Sequence, residues 1–421
     1  MMFHILRIAH FSLILLLVGC LPLAPLLATP TPGTVPQATS IPHATPTATA
    51  PVTADQQRLL RVWLPPQFDP DAGTPSAELL KQRLQDFENK YPDIQIEVRI
   101  KSDADIQNTL SVTNNAAPEA MPDLIALSYS DMQTTASAGF LHPFEGLTTV
   151  LQDPDWYAFA RELGHFKNTE FGIPFASDVL LTVYRPAVFE APPSTWEALF
   201  KSGTYIVFPA SDPRAFFSLS LYLSEGGQLV DDQSAVMLSE EALIRMLSFH
   251  KQVIETGTVL PLIRDYQTDE QSLQFYREGR ADLAVIWASS DMQTQSGSYF
   301  PLLGLDNTLY SLGDGWVWSL AGSHVENQPL AVELASYLVD SSFMADWTRA
   351  SGYLPTRPQA LNMWEDEELK ISINEVLQSA HPIPPDDVMF VVGPLLQRAL
   401  IRIFNGEQPE VVARSVIESI K

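Results

Sequence analysis

The chain of 421 residues is longer than one ordinary hydrophobic core supports, so we expect two lobes. Its 50 Asp and Glu against 25 Lys and Arg give a net charge of −25, which disfavours binding to nucleic-acid phosphates or to anionic lipid headgroups. Hydrophobic residues form 46% and aromatic residues 10% of the chain, and this composition excludes an intrinsically disordered protein.

The N-terminus is typical of an exported protein. The apolar run Phe11–Val18 is too short for a confident membrane span but suits the core of a signal peptide. It ends in Leu17-Val18-Gly19-Cys20, which resembles the bacterial lipobox and implies a lipid on Cys20; an ordinary signal with a chance cysteine is the alternative. Because Cys20 is the single cysteine, neither an intramolecular disulfide nor a cysteine-rich zinc site is possible.

Residues 21–54 contain no Asp, Glu, Lys or Arg but eight Pro and eight Thr. Such a composition cannot bury a core and is typical of an extended spacer. We therefore predict a signal peptide over 1–19 and a lipidated cysteine with its linker over 20–54.

The folded body opens with alternating strand and helix patterns. Leu59–Leu64 and Pro122–Leu127 are apolar strands, and the alternation in Ile94–Ile100 predicts a half-buried strand between them. A helix around 103–114 precedes the third strand, and an earlier helix has one apolar face. That face comprises Leu80, Leu84, Phe87 and Tyr91. This β-α-β-α-β order predicts a parallel sheet with helices on both faces.

Ligands of open α/β sheets lie beyond the carboxyl ends of the strands. The loops after the first and third strands therefore offer candidate ligand contacts, namely Trp63, Gln67, Tyr129, Ser130 and Asp131. Core packing is the alternative for Trp63, and capping of the following helix is the alternative for Asp131.

The stretch 171–199 predicts a strand followed by a helix. Val179–Tyr184 is too apolar and β-branched for a surface loop, and we interpret it as a buried strand of a parallel sheet. Thr195 is placed to cap a helix beginning at Trp196, which we expect in the core. Asp178 lies where the chain enters the strand.

The second half continues the pattern. Three helices are predicted, and a glycine ends each of them. They cover 212–225, ended by Gly226, the stretch from Ser239 to Gly257, and the stretch from Leu273 to Gly279. The buried strand after the third of these helices ends in a polar loop that contains Trp287 and Asp291.

Gly313 and Gly315 flank Asp314 and let the backbone approach another group closely, with Trp316 beside them. A β-turn with two core tryptophans is the alternative. The last third of the chain is predicted to be helical, with Gly406 ending one helix and Pro409 opening the next.

Four segments together are similar to the extracellular solute-binding proteins of bacterial ABC importers, specifically the sugar-type family 1. The resemblance spans about 59–421 and lies in Gly139–Phe144 (G-x-L-x-P-L), Phe171–Asp178 with Pro193–Trp196 (Y-G-I-P-Y-A-x-D and P-x-T-W), Phe275–Ala284 (F-x-x-G-x-A-A-M) and Gly352–Pro355 (G-x-x-P). Tyr184-Arg185-Pro186 and Asp282-Leu283 depart from the family pattern, so solutes other than sugars stay open.

The resemblance implies a two-lobed α/β fold in which each lobe is a mostly parallel sheet flanked by helices, with the ligand cleft between them. Lobe 1 would comprise 55–175 plus 305–352, and lobe 2 would comprise 176–304 plus 353–421. A monomeric protein would close over a solute by a hinge motion and deliver it to the permease subunits of an ABC importer. It would be exported and anchored through Cys20 to the outer face of the cytoplasmic membrane, without a cofactor.

Sugar recognition needs aromatic faces together with carboxylates or amides. The resemblance implies that Asp178 is a ligand contact, with capping as the alternative, and that Trp316 lines the cleft. Together with the loop residues the candidate set is Trp63, Gln67, Tyr129, Ser130, Asp131, Asp178, Trp287, Asp291, Asp314, Trp316 and Tyr353.

An exported carbohydrate-active enzyme is the main rival, because a cleft with several carboxylates can resemble a glycosidase. The sequence lacks G-x-S-x-G, H-E-x-x-H, G-x-G-x-x-G and G-x-x-x-x-G-K-[ST], and its histidines are too dispersed to propose a metal site. We therefore expect no catalytic residues and no metal. A sensor that presents its liganded form to a membrane receptor, and a scaffold that has lost binding, remain open.

Overall fold

The computed structural model describes residues 58–322 and 324–420, so the predicted signal peptide, Cys20 and the linker lie outside the described residues. The strands are β1 Arg58–Leu64, β2 Ile94–Ile100, β3 Leu124–Ser128, β4 Leu141–His142, β5 His165–Phe166, β6 Thr169–Glu170, β7 Ile173–Tyr184, β8 Ile206–Val207, β9 Leu283–Trp287, β10 Ser298–Pro301, β11 Ser311–Ala321 and β12 Ala380–Pro382. The helices are α1 Pro75–Lys90, α2 Ile106–Ala116, α3 Tyr129–Ser137, α4 Ala158–Leu163, α5 Trp196–Ser202, α6 Phe216–Ser224, α7 Glu240–Glu255, α8 Asp269–Arg277, α9 Gln328–Leu338, α10 Ser341–Ser351, α11 Pro358–Asn362, α12 Glu367–Gln378, α13 Asp386–Phe404 and α14 Pro409–Ile420. None of the helices in these ranges has the length and apolar character of a membrane span.

The first three strands form the predicted parallel unit. β1 lies between β2 and β3 and pairs parallel with both. Helix α1 buries Leu80, Leu84 and Phe87, and the Ala77 N–H donates to Thr74 Oγ1 at 3.2 Å to cap its first turn. The apolar periodicity and the cap together explain why the helix begins where it does.

The two longest strands run against this parallel set. β11 pairs antiparallel with β3 and with β7, and β7 pairs antiparallel with β9 and β10. The prediction that Val179–Tyr184 lies in a parallel sheet is therefore wrong. It depended on an apolar run buried on both faces, and an antiparallel strand covered on both faces shows the same pattern.

Strands β7 and β11 join two α/β lobes within one mixed sheet of order β2-β1-β3-β11-β7-β9-β8. The first part of β7, Ile173–Val179, pairs with β11, whereas Leu180–Tyr184 pairs with β9. Helix α1 packs against α9 and α10 on one side of the molecule, and α13 packs against α6, α7 and α14 on the other. This is the two-lobed α/β fold expected from the sequence, while the residue boundaries of the lobes stay a prediction.

The predicted start of α5 is confirmed. The Ala198 N–H donates to Thr195 Oγ1 at 3.2 Å, and Trp196 is buried with its Nε1–H donating to Gly304 O at 2.9 Å. The late helices α13 and α14 also meet at Gly406 and Pro409 as expected.

Helix α6 begins at Phe216 and not at residue 212. The Asp212 carboxylate accepts hydrogen bonds from the backbone N–H groups of Arg214 and Phe216 at 2.9 and 3.2 Å. These bonds hold a turn in which Ala215 has the left-handed φ of 51°. A side chain that bonds to its own following backbone competes with the helix in this way.

His250 of α7 is fully buried in an aromatic part of the core. Its Nε2 lies 2.9 Å from Ser218 Oγ, and its ring contacts those of Phe208, Phe217 and Phe249. Burial lowers the pKa of His250 to about 3, so the imidazole is neutral in the folded protein near neutral pH.

We predict that His250 makes the protein acid-labile. The unfolded chain binds a proton at His250 below about pH 6.5, whereas the folded chain resists protonation until about pH 3, so stability falls as the pH falls between these values. Urea unfolding at pH 6.5 and pH 5 should show that the wild type loses roughly 2 kcal/mol more than His250→Gln. His165→Gln, which alters a partly exposed imidazole, is the matched control, and parallel pH profiles for wild type and His250→Gln would contradict the prediction.

Candidate ligand cleft

Two cavities share Glu270 in their linings: the larger is lined by residues of both lobes, whereas the smaller is lined only by residues between 180 and 287. The larger, of about 700 Å³, is lined by Gln67, Thr74, Pro75, Ser76, Glu270, Ser289, Ser290, Gln293, Arg349, Ala350, Ser351 and Tyr353. The smaller, of about 250 Å³, is lined by Leu180, Pro209, Asp212, Phe216, Phe217, Gln267, Thr268, Asp269, Glu270, Val285 and Trp287. Both cavities reach Glu270, and each combines hydrogen-bonding groups with an aromatic ring.

An aromatic cluster centred on Phe68 adjoins the larger cavity, which it reaches through Tyr353. The ring centroid of Phe68 lies 5.0 Å from that of Trp316, 5.7 Å from Tyr353, 5.4 Å from Phe175 and 5.3 Å from Trp347. Phe68 is buried, while Trp316 and Tyr353 are partly exposed. The cluster therefore holds the Trp316 and Tyr353 rings against Phe68, and Tyr353 lines the larger cavity.

Two carboxylates face each other beside these rings. The antiparallel register of β7 and β11 places Asp178 directly opposite Asp314. Asp178 accepts hydrogen bonds from the backbone N–H of Ser289 at 3.0 Å and from its Oγ–H, while Asp314 Oδ1 accepts from the Gly315 N–H at 2.8 Å. Asp178 thus ties β7 to the loop after β9.

Burial raises the pKa of Asp178 to about 7 and that of Asp314 to about 6. The charge of Asp314 adds to the effect on Asp178, and the charges of Asp386 and Asp131 add to the effect on Asp314. Near neutral pH each carboxyl group can therefore either donate its proton to a hydroxyl oxygen or, when ionised, accept a hydrogen bond from a hydroxyl group.

The loop after β3 contributes a second polar group. Ser130 Oγ–H donates to the carboxylate of Asp386 at the start of α13, and Arg214 Nη2 lies 3.6 Å from the same carboxylate. Burial raises the pKa of Asp131 and raises that of Tyr129 to about 12. Residues from separate parts of the chain thus meet across the junction of the lobes.

Asp131 does not cap α3. The cap is Ser128, whose Oγ accepts from the Asp131 N–H at 3.1 Å and donates to Asp131 Oδ2 at 2.6 Å. A serine directly before the helix reaches the third backbone N–H more easily than an aspartate already inside it. The capping alternative is therefore wrong for Asp131.

The structure buries three of the sequence-derived candidates. Tyr129 is 8% exposed at the start of α3, and the other two lie deeper. Trp63 is 1% exposed within the β1 core, beneath the ammonium group of Lys101 at 4.8 Å from its ring centroid. Asp291 is 1% exposed, lies 2.6 Å from Arg277 Nη2 and accepts from Tyr299 OH at 2.9 Å. Neither side chain presents surface to the two cavities.

Three other candidates line the cavities. Gln67 and Tyr353 line the larger cavity, and Trp287 lines the smaller, where its ring meets that of Phe216 edge-on at 5.1 Å. The remaining six line neither cavity and lie in α3, β7 and β11, namely Tyr129, Ser130, Asp131, Asp178, Asp314 and Trp316. Gly313–Trp316 lies in a continuous strand, so the alternative of a β-turn at this position is wrong.

Sequence reasoning missed several polar residues of the cleft. Asp269 accepts from Ser290 Oγ–H at 2.5 Å and from the Trp287 N–H at 3.3 Å, and burial raises its pKa. The one sequence feature that indicated polar groups here was the pair of serines in the 287–291 loop, because they follow the end of a predicted strand. Nothing local to Asp386 or Arg214 indicates that they meet the loop after β3, because this contact depends on tertiary structure.

No group of three or more His, Cys, Asp or Glu within 58–322 and 324–420 is arranged to hold a metal ion.

Comparison with known proteins identifies the family. Residues 82–371 match the model of the bacterial extracellular solute-binding protein family. The chain belongs to this family. It is 22% identical to the maltotriose-binding protein of Pyrococcus abyssi over 353 residues, which cover 78% of this chain and 75% of that relative.

Solved structures agree with the fold. The maltose-binding periplasmic protein MalE from Listeria monocytogenes in complex with maltose is 15% identical with a TM-score of 0.71, over 86% of this chain and 97% of the other. The maltose-bound MalE3 of T. maritima is 20% identical with a TM-score of 0.64, over 86% and 98%. The solute-binding family and the two-lobed fold inferred from the sequence are thereby confirmed. Membership of this extracellular family makes the chain an exported solute-binding protein.

We predict that Asp178 gives folding stability a second, opposite pH dependence. Because the pKa of Asp178 is raised in the folded state, the folded protein holds this proton more tightly, and the resulting stability is lost as the pH rises from about 4 through about 7. Asp178→Asn cannot ionise, so chemical unfolding should show its stability relative to wild type increasing from pH 4 to pH 8. Asp232→Asn, at an exposed carboxylate, should show no such trend. A constant difference between wild type and Asp178→Asn across this range would show that the carboxyl group titrates as it does in water.

Proposed function

We propose that the protein captures a sugar or oligosaccharide in the two adjoining cavities and delivers it to an ABC importer. The observation that supports this proposal is the chemistry of the smaller cavity, where the indole of Trp287 and the ring of Phe216 lie among Asp212, Asp269 and Glu270. A pyranose presents an apolar face and a rim of hydroxyls, which match such a combination. The relatives named for maltose and maltotriose favour an α-linked glucose oligomer as the first solute to test.

Within this proposal the candidate residues divide by chemistry. Trp287, Trp316 and Tyr353 offer aromatic faces, while Asp178 and Asp314 accept or donate hydrogen bonds to hydroxyls. Gln67 and the side chains of Tyr129, Ser130 and Asp131 extend the polar rim. Trp63 and Asp291 support the surrounding structure and are not among the proposed contacts.

Capture would proceed by hinge closure of the two lobes, with 55–175 plus 305–352 in one and 176–304 plus 353–421 in the other. The long strands β7 and β11 and the segment at Leu354 run between the lobes and would bend on opening. A solute held by both lobes shifts the open–closed equilibrium by its differential affinity for the closed form. The closed surface would then be the form that the permease subunits recognise.

The mature protein would be a lipid-anchored monomer on the outer face of the cytoplasmic membrane. The run Phe11–Val18, the motif Leu17-Val18-Gly19-Cys20 and the uncharged Pro- and Thr-rich linker support this arrangement. One lipid chain alone gives weak, reversible binding, so two or more acyl chains on Cys20 would be needed for a stable anchor.

We predict that the wild type is stabilised by maltotriose or maltotetraose in a thermal-shift screen, because a ligand specific to the folded state raises the transition temperature. Scattering should show compaction with the same ligand. If neither measurement responds to any member of a broad sugar panel, the sugar assignment fails while the family assignment stands.

We expect Trp287→Ala to lower the affinity for the solute at least about tenfold in calorimetric titration, because truncating a stacked aromatic contact commonly loses more than 1 kcal/mol. Its transition temperature should change little, since the indole is partly exposed at the cavity wall. Phe390→Ala, an exposed aromatic residue of α13, is the control and should bind as the wild type does. A large loss of stability with unchanged affinity would assign Trp287 to the core.

We expect Cys20→Ser to release the protein from the membrane fraction into the soluble extracytoplasmic fraction, because serine cannot accept the thioether-linked lipid. Fractionation of cells that express the full chain tests this prediction. Retention of the variant in membranes would exclude Cys20 as the anchor.

A further inference from the structure

We propose that Arg349 is a positioning residue that latches the two lobes together across the mouth of the larger cavity. The proposal rests on the proposed function, since it assigns a residue to the closure step. Arg349 lies at the end of α10, and its partners lie in the loop 292–295 that follows β9.

Hydrogen bonds run in both directions across this contact. Arg349 Nη1 donates to Met292 O at 3.2 Å, and Gln293 Nε2 donates to Ala350 O at 3.2 Å. Both Gln293 and Arg349 line the larger cavity, so the contact closes one side of the space that a solute would occupy. The two sides belong to different parts of the fold, because α10 packs on α1 whereas β9 pairs with β7 and β8.

Gln295 makes a third contact, with Arg349, although its own backbone is strained. With its amide oxygen turned toward α10, it accepts from Arg349 Nη2 and Nη1 at 2.5 and 2.8 Å. Its φ of 48° is left-handed, a conformation that glycine adopts freely and glutamine does not. Glycine here would relieve the strain but would remove the acceptor, and strained residues of this kind cluster at functional sites.

Each side of the latch is held rigidly. The loop is fixed by the buried carboxylate of Asp291, which pairs with Arg277 at 2.6 Å and accepts from Ser296 Oγ–H at 2.8 Å and the Ser296 N–H at 3.0 Å. On the other side Arg349 lies on helix α10, which packs against α1. A contact between two rigid elements forms or breaks as a unit, which a latch requires.

The bonds of Arg349 go to protein acceptors, so its expected effect is on closure and not on direct recognition. Opening the cleft would break all three contacts, and closing would restore them. Loss of the latch should therefore raise the rate at which solute leaves and change the association rate little.

The test uses the full chain carrying Cys20→Ser, with nitroxide labels on cysteines introduced at Asp86 of α1 and at Glu278 after α8, both exposed and one in each proposed lobe. Pulsed dipolar spectroscopy without ligand should show a longer distance, or a larger long-distance population, in Arg349→Ala than in wild type. Arg402→Ala removes a surface ion pair with Glu407 and is the matched control. An unchanged distance distribution in Arg349→Ala overturns the latch.

Stopped-flow fluorescence with maltotriose gives the second readout. The solute should dissociate from Arg349→Ala about tenfold faster, with an association rate within twofold of wild type; tenfold corresponds to about 1.4 kcal/mol, the scale of one charge-assisted bond. If the wild type binds no maltotriose, the proposed solute fails, yet the distance measurement still decides on the latch. If Arg349→Ala does not fold, Gln293→Ala and Gln295→Gly remove single contacts, and both leaving the distances unchanged would overturn the proposal.

Discussion

The antiparallel pairing of β7 with β11 is the constraint on which the rest of the molecule depends. A Cβ at Gly315 would lie 2.5 Å from Ala176 O, and a Cβ at Gly313 would lie 2.7 Å from the Phe159 ring, so larger residues would force these elements apart. Ser177 and Leu354 exchange backbone hydrogen bonds of 2.8 Å and bring a third segment to the same place. Because the three segments meet there, Asp178, Asp314 and Tyr353 are delivered to one point of the cleft without any of them being near another in sequence.

This convergence explains the electrostatics of the cleft. Asp178 and Asp314 lie opposite each other, and their raised pKa values show that burial outweighs the hydrogen bonds from Ser289 and Gly315. A protein selected for stability alone would gain by replacing one member of such a pair with a neutral side chain. Retaining both is consistent with a cleft that must present several oxygen atoms to a polar solute, which is the use that the proposed function gives them.

Local sequence patterns predicted local structure well and tertiary relations poorly. The periodicity of Leu80, Leu84 and Phe87 located α1, and the Thr195 cap located α5, because both signals act within one or two turns. The prediction of parallel pairing for β7 was wrong, because the apolar pattern of a strand does not depend on whether its neighbours run parallel or antiparallel. For the cleft, chain order indicated which strand ends to inspect but not which side chains turn inward, so Trp63 and Asp291 were candidates although the structure buries both. Asp386 and Arg214 gave no signal at all, because the contacts of Asp386 with Ser130 and with Arg214 depend on how α13 packs.

The contacts between the lobes also bear on how much a solute has to contribute to closure. Ser130 with Asp386, and Arg349 with Met292, are bonds that the protein makes with itself across the cleft. One charge-assisted bond of about 1.5–3 kcal/mol shifts a two-state equilibrium roughly tenfold to a hundredfold. Within the proposed function such bonds stabilise the closed form, so the solute has to contribute less of the free energy of closure. The left-handed φ of Gln295 opposes closure, because the strain at this residue is relieved when the loop rearranges. Under the proposed function both steps are needed, because closure captures the solute and reopening releases it to the permease.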